Sequence, residues 1–254
     1  MEQKFCTEKP IEELVGTAST CVDTRKELAE ALGHKSRATR EYASQVKAEL
    51  ARADIGLLHD FTADIIDALN RPEALTRYSM IEIIGELSRS NPQVILDAYE
   101  LLQECLYDED SGTVRLYAFR VLARYGATSK EASLKVWPDL SMALRCFHGD
   151  PEFMAMMSEL ISMLSSKADQ KVKEAAVELF AFDAENARGE MRKKAETIAA
   201  FAPEILARIN KENEEKAKAI SAAKEAQKAA AEEDDEEISE DEEQIPHDKH
   251  APHQ

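Results

Sequence analysis

Residues 75–83 (LTRYSMIEI), 114–122 (VRLYAFRVL) and 153–161 (FMAMMSELI) are three versions of one pattern, set 39 residues apart. Leu75, Val114 and Phe153 align, as do Tyr78, Tyr117 and Met156, then Ile83, Leu122 and Ile161. A second set follows at the same offset: Ala98, Trp137 and Ala176, then Leu101, Leu140 and Leu179. One helix pair of this period cannot bury its apolar face alone, and stacking its neighbours against it builds a continuous core. The repeat therefore predicts an all-α chain, an α-solenoid of antiparallel helix pairs. Such a chain presents an extended surface to other macromolecules.

Working outward from the repeat, the breaks are regular. Asn91-Pro92 reads as a cap followed by proline in the first turn, with the helix reaching about Tyr107. Asp108 to Gly112 is a polar turn, and the next helix runs from Thr113 to Tyr125 and stops at Gly126. Ser133 opens another, with Pro138 near its first turn, and Gly149-Asp150-Pro151 is again a stop, a cap and a start. Residues 153–165 and 171–182 form the last clear pair. Upstream, apolar spacing predicts one helical stretch from Ile11 to Gly33, then helices over 36–53 and 55–69, with Pro72 in the first turn of the next. Downstream, Ile198, Phe201, Ile205, Leu206 and Ile209 suit a capping helix. The expected domains are N-terminal helices over 1–70, repeats and cap over 71–209, a solvated charged helix over 210–231, and a disordered acidic tail over 232–254.

Charge supports that division. The chain of 254 residues has a net charge of −18, and residues 211–254 alone carry 15 acidic against six basic side chains. Such a surface makes nucleic acid an unlikely partner, because affinity there depends on neutralising phosphates with Lys and Arg. No stretch approaches the ~18 apolar residues that span a bilayer. The charged run Met1 to Pro10 lacks the apolar centre of a secretory signal. Cys6, Cys21, Cys105 and Cys146 have no Cys-x-x-Cys spacing and read as small buried hydrophobes in a reducing, cytoplasmic setting.

The helical repeats resemble the HEAT and armadillo-like family. Residues 108–126, DEDSGTVRLYAFRVLARYG, carry the resemblance best: the acidic turn Asp108 and Asp110, the Val114-Arg115 pair, then Ala118 and Leu122 at packing positions. Residues 149–164 keep the Asp-Pro opening but have Phe153-Met154 where Val-Arg would stand. Residues 168–180 keep Asp169 and Val172, with Lys173 in the basic place. The resemblance covers residues 70–185. It implies a helical repeat fold and a protein partner.

Candidate interaction residues fall in two basic clusters. Arg115, Arg120 and Arg124 share one helix, the last two at i,i+4, and form either a strip for an acidic partner or, for Arg115, an ion pair with a turn carboxylate such as Asp110. Arg188, Arg192, Lys193 and Lys194 form the second, which either binds an acidic ligand or meets the protein's own acidic tail. Met154, Met156, Met157 and Met163 read as inter-helix core or as an adaptable binding surface, with partial exposure of the Met156-Met157 pair left open. Trp137, where the other repeats have Ala, reads as core or as an interface anchor. His247, His250 and His253 lack a rigid shell for metal, and Ser239 precedes acidic residues that acidophilic kinases favour.

No catalytic set emerges. His34, His59 and His148 have no recognisable partners, and phosphate-binding glycine loops and Gly-x-Ser-x-Gly elbows are absent from the sequence. The iron-binding HEAT-fold hydroxylases use His-Glu dipeptides, which this chain lacks. The sequence thus leads to a protein-binding scaffold or adaptor, with no enzyme activity and no cofactor expected. Two alternatives stay open: an acidic-tailed chaperone or assembly factor for basic clients, and a HEAT-like subunit or lyase holding a small ligand in its groove.

Overall fold

The computed structural model describes residues 9–242, with side chains as far as residue 225. Two compact units divide it, Met1–Ala202 and Pro203–Gln254. Among the described residues every regular element is a helix.

The first unit begins with α1 (Ile11–Thr20) and α2 (Val22–Leu32). The single stretch expected here breaks at Cys21, whose backbone is extended. Cys21 lies between β-branched Thr20 and Val22, side chains that crowd a helix. The guanidinium of Arg25 donates to the Ala18 carbonyl at 2.6 Å and so closes the end of α1. The helix α3 (Arg37–Ala53) follows, capped by Ser36, whose hydroxyl accepts from the Thr39 amide. The third expected helix is tighter than an α-helix for most of its length. Residues Ile55–Phe61 and Ala68–Asn70 are 3-10, flanking a short α4 (Thr62–Asp67). Gly56, His59, Phe61 and Thr62 are all modest helix formers, which suits i→i+3 bonding over so short a span.

The repeats then follow. They comprise α5 (Ala74–Leu87), the short α6 (Gln93–Asp97), α7 (Tyr99–Leu106), α8 (Gly112–Gly126) and α9 (Lys130–Cys146). After them come α10 (Phe153–Leu164), α11 (Gln170–Asn186) and α12 (Gly189–Ala199). Pro72 stands in the turn before α5 instead of its first turn, and Glu73 takes the capping place. The expected 92–107 helix breaks at Ala98. Ser129, not Ser133, opens α9, its hydroxyl accepting from the Ala132 amide. Pro138 therefore sits in the helix interior, at an exposed position where water can serve the carbonyl that loses its partner.

Side by side, α3, α5, α8, α10 and α12 form one row, each packed on the next, and α7, α9 and α11 form a second. The core lies between the rows. Of the aligned positions, Ile83, Ala98, Val114, Leu122, Leu140, Phe153, Met156 and Ala176 are buried, whereas Leu75, Tyr78, Leu101, Tyr117, Ile161 and Leu179 are half-buried; Met157 and Met163 are buried beside them. Met156 and Met157 both turn inward, so the exposure left open for that pair is not seen. Met154 and Trp137 are half-buried. Close packing reaches Gly126, where an added Cβ would lie 2.6 Å from the Met163 sulfur.

A ladder of arginines joins successive units of the first row. Arg40 of α3 pairs with Glu73 ahead of α5, Arg77 of α5 with Asp108 ahead of α8, and Arg115 of α8 with Glu152 ahead of α10. In each case the cation sits near the start of one helix and the carboxylate before the next. Hydrogen bonds from Arg40 hold the Glu73 carboxyl below its usual range. The ladder does not continue from α10, whose corresponding residue is Met154.

The second unit holds α13 (Pro203–Glu242), a 40-residue helix. Pro203 at its first position separates it from α12, so Ile198 and the group Ile205, Leu206 and Ile209 do not share one capping helix. Residues 211–225 are exposed throughout, as expected of a solvated helix. The backbone stays helical to Glu242, past residue 231 where the acidic tail was expected to begin. Residues 243–254 lie outside the described residues, and with them His247, His250 and His253, as does Cys6.

Candidate functional site

The first row exposes one face of each helix in succession. On α5, Tyr78, Glu82 and Glu86 recur every four residues and are all half-buried. On α8, Tyr117, Arg120 and Arg124 occupy the same face. The two tyrosine rings meet at 5.4 Å, one repeat apart in sequence. Burial raises the Tyr78 phenol above its ordinary value.

Side-chain contacts carry this face across helix boundaries. From α3, Arg52 donates to Glu82 at 3.2 Å and also pairs with Glu49. From α8, Arg120 donates to Glu159 of α10 at 2.6 Å, and its guanidinium lies 5.2 Å from the Tyr117 ring. From α12, Lys194 donates to the Ser158 hydroxyl at 2.6 Å. A groove of about 450 Å³ opens between the ends of α3 and α5. Ala48, Ala51, Ala53, Ile55 and Ile83 supply its apolar lining, and Arg52, Asp54, Glu82 and Glu86 its charges. A cleft of about 140 Å³ shares Glu82 and Glu86 and continues to Arg120 and Arg124.

The structure separates the basic residues singled out from sequence. Arg115 is buried, with its Nε 2.5 Å from Glu152 and its Nη1 2.7 Å from the Asp108 carbonyl, and it stacks 4.3 Å from the Phe147 ring centroid. Asp150 is its second carboxylate, at 3.3 Å; the pairing lies with the following turn and not with Asp110. Arg120 and Arg124 share the exposed face. In the second cluster, Arg192 and Lys193 pair with Glu196 and Glu190 of their own helix at 2.8 and 2.7 Å, and Lys194 reaches α10. Arg188 is exposed in the turn ahead of α12.

The residues missed in sequence are the carboxylates and tyrosines beside Arg120 and Arg124. The spacing of Tyr78, Glu82 and Glu86 carried the signal, since i, i+4, i+8 keeps three side chains on one face. The second row holds another unforeseen cluster. Asp139 accepts from the Tyr99 hydroxyl at 2.5 Å and from the Gln103 amide at 2.7 Å, while Lys135 lies 4.2 Å from the Tyr99 ring centroid. Burial, with the Asp139 carboxylate, pushes the Tyr99 phenol well above its ordinary range, and burial takes Tyr107 up to about 12. This cluster ties α7 to α9 beside the Pro138 position.

Of the cysteines expected to be buried, Cys105 is; Cys21 is half-buried and Cys146 exposed. Among the described residues no group of three or more His, Cys, Asp or Glu side chains is placed to hold a metal ion. Among the described residues no helix is long and apolar enough to cross a membrane.

No protein-family model matches the chain, and no curated protein matches it. Solved structures do. An engineered protein from a structural genomics consortium matches 80% of this chain and 94% of its own, with TM-score 0.59 and 15% identity. A designed armadillo repeat protein in complex with the peptide (KR)4 matches 75% of this chain and 90% of its own, with TM-score 0.58 and 16% identity. A second designed armadillo repeat protein covers 77% of this chain and 96% of its own, with TM-score 0.54 and 17% identity. The fold is that of a HEAT/armadillo-like α-solenoid.

Proposed function

We propose that the chain is a non-catalytic scaffold that binds a protein segment along the exposed face of α3, α5, α8 and α10. The observation that carries this reading is the continuity of that face: a groove and a cleft share Glu82 and Glu86 and cross three helices. Half-buried tyrosines beside mixed charges supply rigid apolar contact and hydrogen-bonding capacity together, as binding surfaces require. The designed armadillo protein bound to a peptide shows that this fold can carry such a segment.

Affinity capture with three forms of the chain tests the reading. The unaltered protein retains a defined partner; Glu82→Lys combined with Arg124→Glu loses it; Lys135→Glu, on the second row, keeps it. A truncated chain ending at Asn210 keeps it as well. Loss of the partner with truncation but not with the charge reversals refutes the scaffold reading and favours an acidic-tailed chaperone for basic clients.

A further inference from the structure

The groove between α3 and α5 favours a positive charge for three separate reasons. It lies at the C-terminal ends of both helices, where unpaired carbonyls carry partial negative charge. Asp54, Glu82 and Glu86 line it. Ala48, Ala51, Ala53, Ile55 and Ile83 give it an apolar lining that suits the methylene stem of a lysine or arginine. The resident cations are weak competitors. Arg52 and Arg89 are 55% and 68% exposed in their pairs with Glu82 and Glu86. Exposed pairs of this kind contribute little and yield readily to an incoming cation.

The adjoining cleft shares Glu82 and Glu86 and adds arginines on its far side. Arg120 is committed to Glu159, but Arg124 is exposed and forms no ion pair among the described residues. A polybasic segment would meet Arg120 and Arg124 as like charges, and a polyacidic one or a nucleic-acid strand would meet Glu82 and Glu86. Neither fits both halves.

Building on the scaffold reading, we propose that this bipartite groove takes an extended peptide segment with a lysine or arginine seated between α3 and α5 and an aspartate or glutamate on Arg124. Packed helices stand about 8–10 Å apart, and an extended chain in the polyproline II conformation advances about 3.1 Å per residue with about three residues per turn, which puts i and i+3 on one face. One helix step therefore spans about three residues, and the two charges belong at about i and i+3.

The test is a selection of displayed random linear peptides on the full-length chain at physiological ionic strength. Enriched sequences are then synthesised and titrated by fluorescence anisotropy. The expected peptides carry a basic and an acidic residue about three apart. Their affinity falls at least about tenfold, or about 1.4 kcal/mol, with Glu82→Lys/Glu86→Lys and with Arg124→Glu. Changing the peptide's acidic residue to lysine restores binding to Arg124→Glu. Unchanged circular dichroism melting shows that the substitutions leave the fold intact. Enriched peptides that are uniformly basic, or that bind all variants alike, overturn the bipartite groove while leaving a scaffold with another face. An empty selection also overturns it, and the scaffold reading falls only if the partner capture described above fails too.

Discussion

Replacing Lys47 by methionine should stabilise the protein. Lys47 lies on α3, is fully buried, and its ammonium has no hydrogen-bond partner. Its one favourable neighbour of note is the Phe61 ring, 4.7 Å from Nζ to the centroid. Burial drives its pKa from 10.5 to about 8, only partly opposed by the charge of Asp64. At about 1.4 kcal/mol per pH unit, holding the charged amine in the folded state costs about 3 kcal/mol near neutrality. Methionine fills a similar volume without a charge and forfeits a cation–π contact of about 1 kcal/mol. The expected gain is about 2 kcal/mol. It is read as a rise in the urea midpoint near pH 7 with the slope of the transition unchanged. The pH dependence supplies the sharper check. The unfolded amine titrates at 10.5 and the folded one at about 8. Between those values the unfolded chain holds the extra proton, so the unaltered protein gains stability as pH rises across that window. Below it the penalty is constant. The margin of Lys47→Met should therefore be largest below about pH 8 and close towards pH 10.5. A variant no more stable than the parent near neutrality, or a margin that persists at high pH, refutes the reasoning.

Arg115→Ala should cost about 3–5 kcal/mol, because it leaves the buried Glu152 carboxylate without its cation. Arg124→Ala, at an exposed position on the same helix, should stay within about 0.5 kcal/mol. Urea midpoints of the two variants compare them directly. A thiol reagent near neutral pH should modify Cys146 rapidly. Cys105, buried and with its thiol pushed up to about 11, should stay unmodified until the protein unfolds. Cys146→Ser should therefore remove a fast phase that Cys105→Ser leaves in place.

The repeat was legible because packing imposes it. Positions facing the core recur at one spacing, so Val114, Leu122, Leu140 and Ala176 announced themselves without knowledge of their partners. The stop at Gly126 was legible for a local reason. What could not be read was anything that depends on which helix lies next to which. The partner of Arg115 lies 37 residues on, in Glu152, because the turn before α10 folds back beside the start of α8. The acidic turn adjacent in sequence offered Asp110, a nearer carboxylate along the chain but not in space. The split of the first helix at Cys21 and the 3-10 segments around α4 were equally hidden, since amphipathic spacing does not distinguish one helix from two short ones in series.

Helical geometry explains why the predicted basic strip divides into a structural and an exposed part. At about 100° per residue, Arg124 lies about 40° from Arg120, whereas Arg115 lies about 140° from Arg120. A row helix that turns Arg120 and Arg124 to solvent must turn Arg115 towards its neighbours. Arg115 can be buried there only with carboxylates supplied in advance, which the residues preceding the next helix provide. The same logic holds for Arg40 and Arg77 at the starts of α3 and α5. First-turn arginines thus hold successive units together and are unavailable to a partner. The later turns carry Glu82, Glu86 and Arg124, which line the cleft, and Arg120, which pairs with Glu159 of α10. Substitutions at Glu82, Glu86 and Arg124 therefore probe the proposed binding face without touching the arginine ladder.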